Sequence, residues 1–196
     1  MRSFPIWKTV TLGTTQTHDA LRRALLNRRY VRFFGDRDEQ RSARTIEEFD
    51  KLLEELLVRT PLTPQRTPVD LVRATLDELG YTHKTHPTER SRYGTYRRYL
   101  AGPDFHEIAD RIWRLGYRLC PAEVALRLRL QYPRQPRGEM MNVAMEPIVV
   151  SDKWGGYPHI YQLFYDGVGK SITGKELKYS ELSPDEHWVF VKPRIP

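Results

Sequence analysis

Val124-Ala-Leu-Arg-Leu-Arg-Leu-Gln-Tyr132 is the stretch on which the reading of the fold turns. Val124, Leu126, Leu128, Leu130 and Tyr132 alternate with Ala125, Arg127, Arg129 and Gln131. Strict period two is the pattern of a half-buried strand. It predicts an apolar face turned inward and an outer face carrying Arg127 and Arg129. Pro133 to Gly138 then reads as a turn. Residues 139–150 read as a second strand, with Met141, Val143 and Met145 on one face. Pro147 bends that strand or marks it as an edge. Residues 158–165 and 187–192 supply two more strands, and Gly155-Gly156 and Asp166-Gly167 are turn signals.

Upstream the period is helical. Asp104 and Glu107 form a capping-box pair, Phe105, Ile108, Ala109, Ile112 and Leu115 make an apolar face, and Gly116 stops the helix. Val69 to Leu79 stays open: Val69, Val72, Leu76 and Leu79 suit a helix stopped by Gly80, and Val69, Leu71 and the β-branched content also allow a strand followed by one helical turn. The N-terminal part opens with a short strand or arm at residues 4–12. A helix follows from Asp19 to about residue 30, with Thr17 as N-cap. A longer helix runs from Thr45 to Arg59, with Thr45 and Glu48 as a capping box. Residues 60–68 hold three prolines, each forcing its predecessor toward extended geometry.

The fold expectation is therefore α+β: an antiparallel meander of about four to five strands, covered by the 104–115 helix. Residues 1–59 form an N-terminal helical segment, 60–68 a Pro-rich linker, and 69–196 the main domain.

Composition narrows the class. With 39% hydrophobic and 11% aromatic residues in 196, the chain holds enough apolar surface for a core. No run approaches a membrane span, and Met1 to Gly13 lacks the long apolar run of a secretory leader. One cysteine, Cys120, excludes an internal disulfide and fits a reducing, cytoplasmic setting. The net charge of +7 favours an anionic partner: nucleic acid, the ribosome or an anionic membrane surface.

The sharpest candidate site is Glu89-Arg-Ser-Arg-Tyr-Gly-Thr-Tyr-Arg-Arg-Tyr99. Between residues 82 and 102, Lys84, Arg90, Arg92, Arg97 and Arg98 face one acid, Glu89, a local charge of +4. Arginines grip phosphates in bidentate fashion, and tyrosines offer faces to unpaired bases. Arg90, Arg92, Arg97 and Arg98 are thus assigned to phosphates. Tyr93, Tyr96 and Tyr99 are assigned to stacking. The bland reading is a solvated loop with its tyrosines laid on the domain. A second basic set, Arg127, Arg129, Arg134 and Arg137, would form a ridge if the strand's outer face is open.

Other motifs carry less. His83 and His86 are two imidazoles without further ligands, which do not make a metal site. Cys120 would be a nucleophile only with a histidine such as His106 beside it; a lone cysteine among apolar residues is more often a small buried hydrophobe. Glu123, Glu139 and Glu146 would support a small hydrolase or transferase if two of them converged. Gly-rich phosphate loops and dinucleotide fingerprints are absent, so no cofactor is expected. Gly167-Val-Gly-Lys170 reads as a hairpin turn. A third reading is a protein–protein adaptor or inhibitor, with an apolar patch rimmed by arginines.

Leu119-Cys-Pro-Ala-Glu-Val124, Leu128-Arg-Leu-Gln-Tyr132, Gln135-Pro-Arg-Gly-Glu139, Ala144-Met-Glu-Pro-Ile148 and Trp188-Val-Phe-Val191 resemble the signature of a family of uncharacterised bacterial proteins. Trp7-Lys-Thr-Val-Thr-Leu-Gly13, Val69-Asp-Leu-Val72 and Glu78-Leu-Gly80 fit the same pattern. The family's usual Gly-Pro after Cys-Pro-Ala-Glu-Val is replaced here by Ala125-Leu126. The 82–102 region is also longer and more basic than the family's link. The resemblance implies one co-folded unit and carries no known activity. The function expected from the residues is a non-enzymatic binding protein that contacts nucleic acid or a nucleoprotein.

Overall fold

Both ends of the chain meet in one sheet. A computed structural model describes residues 3–27, 42–81, 103–150, 156–165, 167, 169–177 and 186–194. Within these, seven strands pair: β1 (Lys8–Leu12), β2 (Thr67–Thr75), β3 (Met140–Val143), β4 (Ile148–Val150), β5 (Tyr157–Tyr165), β6 (Lys170–Glu176) and β7 (His187–Val191). Five helices accompany them: α1 (His18–Asn27), α2 (Ser42–Arg59), the single turn α3 (Leu76–Leu79), α4 (Phe105–Arg114) and α5 (Glu123–Gln131).

The strands run β1-β2-β7-β3-β5-β6, and β4 lies along β5 on the same side as β3. Every pairing is antiparallel except β3 with β7. The mixed α+β class stands, but the sheet is larger than four or five strands and is not a meander. β7 leaves its sequence neighbours and inserts between β2 and β3. β6 stands where the sequence signals only a turn. Its sequence, Lys-Ser-Ile-Thr-Gly-Lys-Glu, has one strong apolar residue, Ile172, and a glycine in the middle. That glycine answers a packing demand. A Cβ on Gly174 would sit 2.6 Å from Leu56 Cδ1, so α2 lies directly on this strand.

The largest correction concerns residues 123–131. They form a helix, not a strand. Val124, Ala125, Leu126 and Leu128 are fully buried, and so are Glu123 and Arg129. The physical reason is position. α5 contacts β1 at one edge of the sheet and β5 and β6 at the other, so the sheet curls round it, and α1 packs on it as well. A helix surrounded on every side needs no polar stripe. Its arginines alternate with leucines because both kinds are buried, each arginine with polar partners. The composition agrees: Leu, Arg, Ala, Glu and Gln are helix formers, and only Val124 is β-branched.

Elsewhere local chemistry and structure coincide. Asp104 accepts from the Glu107 N–H at 2.9 Å, and the Asp104 N–H donates to the Glu107 carboxylate at 2.9 Å. Phe105, Ile108 and Ile112 face inward, and Phe105 meets Trp188 of β7 at 6.1 Å between ring centroids. Thr75 ends β2 and caps α3 in a second capping box, and Gly80 closes it at φ 95°. Pro147 separates β3 from β4. The Thr45–Glu48 box falls on side chains outside those described. β1 is a sheet edge, and the Gln131 side chain covers it by accepting from the Thr11 N–H and donating to the Thr11 carbonyl, at 3.2 and 3.1 Å.

Candidate functional site

Arg90, Arg92, Tyr93, Tyr96, Arg97, Arg98 and Tyr99 lie outside the described residues, as do His83 and His86. The second basic set splits. Arg127 and Arg129 do not form a solvent ridge; their side chains are in the core. Arg127 pairs with Glu123 at 2.7 Å and donates to the Thr15 carbonyl at 3.0 Å. Arg129 donates to the Gln135 side-chain oxygen at 2.6 Å and to the Tyr132 carbonyl at 3.0 Å. Arg134 and Arg137 are exposed on the turn after α5.

The three carboxylates do not converge. Glu123 accepts from the Gly13 N–H at 3.0 Å, the Thr63 N–H at 2.7 Å and Arg127. Burial by itself would raise its carboxyl, but the Thr63, Arg127 and Gly13 donors hold it below the ordinary range. It is a clamp that ties the chain after β1 and the proline-rich segment to α5. Glu139 is held by Arg73 of β2, and Glu146 is exposed. Cys120 is buried, donates weakly to the Val189 carbonyl at 3.5 Å, and has its thiol pushed far up by burial. It is the small buried hydrophobe of the bland reading. Among the described residues no three His, Cys, Asp or Glu side chains are placed to share a metal ion. No helix among them is long and apolar enough to cross a membrane.

What the fold does assemble is a run of alternating cations and rings where β1, β2 and the end of α5 meet. The Lys8 ammonium lies 5.5 Å from the Tyr132 ring centre. Tyr132 meets Trp7 edge-on, at 5.0 Å and 85°. The Arg73 guanidinium covers Trp7 at 5.0 Å and pairs with Glu139. Lys8, Trp7 and Tyr132 are half-buried, so the rings keep an outer surface. Tyr132 stands here because Pro133 cannot continue α5. Burial, then the Glu139 charge, pushes its hydroxyl up.

More positive charge gathers round this run. Arg134 and Arg137 belong to the same turn. The Arg137 side chain lies against Gly167, where a Cβ would come 2.6 Å from its Nε. The Gly138 N–H donates to the Tyr165 carbonyl, which brings the end of β5 alongside. Lys170 covers the Tyr165 ring at 5.5 Å. Burial, then the Arg129 charge, lowers its ammonium. Among the described residues, Lys8, Arg73, Arg134, Arg137 and Lys170 lie on these adjoining elements, and Arg73 pairs with Glu139. A separate exposed ring, Trp113 on α4, is 62% accessible and carries the Arg118 guanidinium at 4.8 Å.

The sequence singles out Arg134 and Arg137 but not Trp7, Lys8, Arg73 and Tyr132. These come from three distant stretches, and no spacing links them. The one available signal is composition, since Trp7-Lys8 and Tyr132-Pro-Arg134 each set a ring beside a cation.

No family model matches the chain, and no curated protein or solved structure is similar to it.

Proposed function

We propose that this chain is a non-enzymatic, cytoplasmic nucleic-acid-binding protein. The observation that carries the reading is the Lys8–Tyr132–Trp7–Arg73 run with Arg134, Arg137 and Lys170 round it. Cationic side chains gathered on these adjoining elements favour a polyanion, and half-buried rings among them favour unpaired bases. Arg90, Arg92, Arg97 and Arg98 add phosphate contacts in this reading, and Tyr93, Tyr96 and Tyr99 add stacking faces. Single strands suit it better than duplex, because stacking needs a base face that a duplex hides.

The test is binding to fluorescent single-stranded and double-stranded oligonucleotides across a salt series. Affinity should fall steeply with salt. The triple change Lys8→Ala, Arg134→Ala, Arg137→Ala should flatten the slope, by about one unit for each phosphate no longer held. The Arg90, Arg92, Arg97 and Arg98 to Ala variant should flatten it independently. A folded protein that binds neither strand at low salt would end this reading.

A further inference from the structure

A cross-strand row that starts at Lys8 in the cationic run ends at a second pair of ring and cation. Lys8 pairs with Leu71 of β2, and Leu71 pairs with Val191 of β7. Val191 and Arg118 then exchange backbone hydrogen bonds, at 3.0 and 2.9 Å. Three steps between neighbouring strands, at about 4.8 Å each, set Lys8 and Arg118 about 14 Å apart. The N-terminal arm bridges the same interval. The Phe4 N–H donates to the hydroxyl of Tyr117, the residue before Arg118, at 2.7 Å. The Trp7 N–H donates to the Leu71 carbonyl at 2.8 Å. Pro5 and Ile6, between these two anchors, are exposed.

The second pair is open to solvent. Trp113 is exposed, and the Arg118 guanidinium covers its ring at 4.8 Å from the centre. Arg118 donates one N–H to the Tyr117 carbonyl at 2.9 Å, and no acid among the described residues pairs with it. A guanidinium carries five N–H groups, so donors remain beside the ring. Arg111 and Arg114 add exposed positive charge at the end of α4, and Asp110 is the one acid in residues 110–118. Apolar residues exposed singly over a surface need no explanation. Here they are not spread evenly. Four large apolar side chains stand exposed among the described residues, and two of them, Ile6 and Trp113, belong to this strip.

We propose that a single nucleic-acid strand held at the Lys8–Tyr132–Trp7–Arg73 run continues along the N-terminal arm and stacks a further base on Trp113. Arg118 steadies the ring and donates to a neighbouring phosphate. The span suits one short strand, since about 14 Å is about four nucleotides at the 3.4 Å rise of a stacked strand. Charge and shape select this occupant. An acidic peptide would meet the arginines but brings no flat face to the tryptophan. An anionic bilayer would take Ile6 and Trp113, but a guanidinium fixed on the ring resists entry into hydrocarbon. An unpaired base with its phosphate uses both the ring and the cation. The inference rests on the nucleic-acid reading and extends it to a second stacking position.

The test is fluorescence anisotropy of a labelled single strand of roughly eight nucleotides, long enough to cover that span, across a salt series. Trp113→Ala should weaken binding at least about fivefold, the low end for one base stacked on an aromatic side chain. Its salt slope should stay that of the wild type, because stacking releases no counterions. Trp113→Phe keeps a stacking face and should restore most of the affinity. Arg118→Ala should lose affinity and also flatten the slope by about one unit, as for one phosphate contact. All three positions are exposed, so the melting temperatures should match the wild type. A strand that responds to the Lys8, Arg134 and Arg137 change but binds Trp113→Ala and Arg118→Ala like the wild type overturns the inference and leaves the cationic run standing. Unchanged strand binding by Trp113→Ala, with loss of its binding to vesicles containing phosphatidylserine, assigns the ring to a membrane surface and overturns it as well. A wild-type protein that binds no strand at low salt removes both readings together.

Discussion

α4 and α5 are helices of similar length that solve opposite problems. α4 lies at the surface, with Phe105, Ile108 and Ile112 inward and Trp113 and Arg114 in water. α5 is wrapped by a curled sheet, and its polar residues are as buried as its leucines. At the surface, polarity reports orientation, so periodicity reveals the helix. In the core, polarity reports pairing. Glu123, Arg127 and Arg129 are present because particular partners await them, and their spacing says nothing of an outer face. The contrast predicts that polar substitutions in α5 are severe and those in α4 mild.

The largest effect should follow loss of Glu123. Glu123→Leu strands the buried Arg127 charge and removes the acceptor from the Gly13 and Thr63 N–H groups. Breaking a buried pair from one side costs about 3–5 kcal/mol, and the orphaned amides place this change at the upper end. Arg127→Met should cost less, because Glu123 keeps both backbone donors. Urea unfolding of the two variants checks the order. If Arg127→Met proves the worse, the backbone bonds are not what anchors the clamp.

The same carboxylate gives a pH signature. Its folded pKa is depressed, so its contribution is complete above the ordinary carboxylate range and is lost as pH falls through the folded value. The wild-type melting temperature should therefore drop more between about pH 6 and pH 3 than that of Glu123→Gln, whose side chain does not titrate in that window. Parallel curves would show that other carboxylates dominate acid unfolding.

How far the sequence can be read follows the same division. Residues 69–80 are legible only in part: Gly80 marks the stop, but Val69, Val72, Leu76 and Leu79 suit a helix as well as a strand with one turn, and pairing of β2 with β1 and β7 decides between them. α4 is legible from Asp104, Glu107 and its apolar stripe. β6 is not, because Gly174 is set by α2 pressing on the strand, a demand from a remote part of the chain. α5 is legible only to composition. Its run of Leu, Arg, Ala, Glu and Gln weighs against a strand, but the alternation points the other way and is the stronger local signal. The cationic run is illegible beyond Arg134 and Arg137, since β1, β2 and the end of α5 meet only in three dimensions. The arginine and tyrosine segment is legible as composition alone, and its residues lie outside those described.

The smallest effect belongs to the α4 cap. Asp104 satisfies one free N–H at a helix end open to water, and Glu107 returns the bond. Asp104→Ala should cost about 1 kcal/mol, the usual value for a lost N-cap. The Glu107 side chain then keeps its own bond to the residue 104 N–H, because that donor is backbone. The loss should appear as a lower urea midpoint with an unchanged slope, since the unfolded surface is the same. It should be several times smaller than the loss from Glu123→Leu, although each change removes one carboxylate from the first turn or cap of a helix of about three turns. The two carboxylates differ in what replaces them. Water reaches the exposed Asp104 position and hydrates the freed N–H, whereas nothing reaches the fully buried Glu123 position. Equal costs would mean that the α5 end hydrates as readily as the α4 end, and the curled sheet would then not be sealing α5.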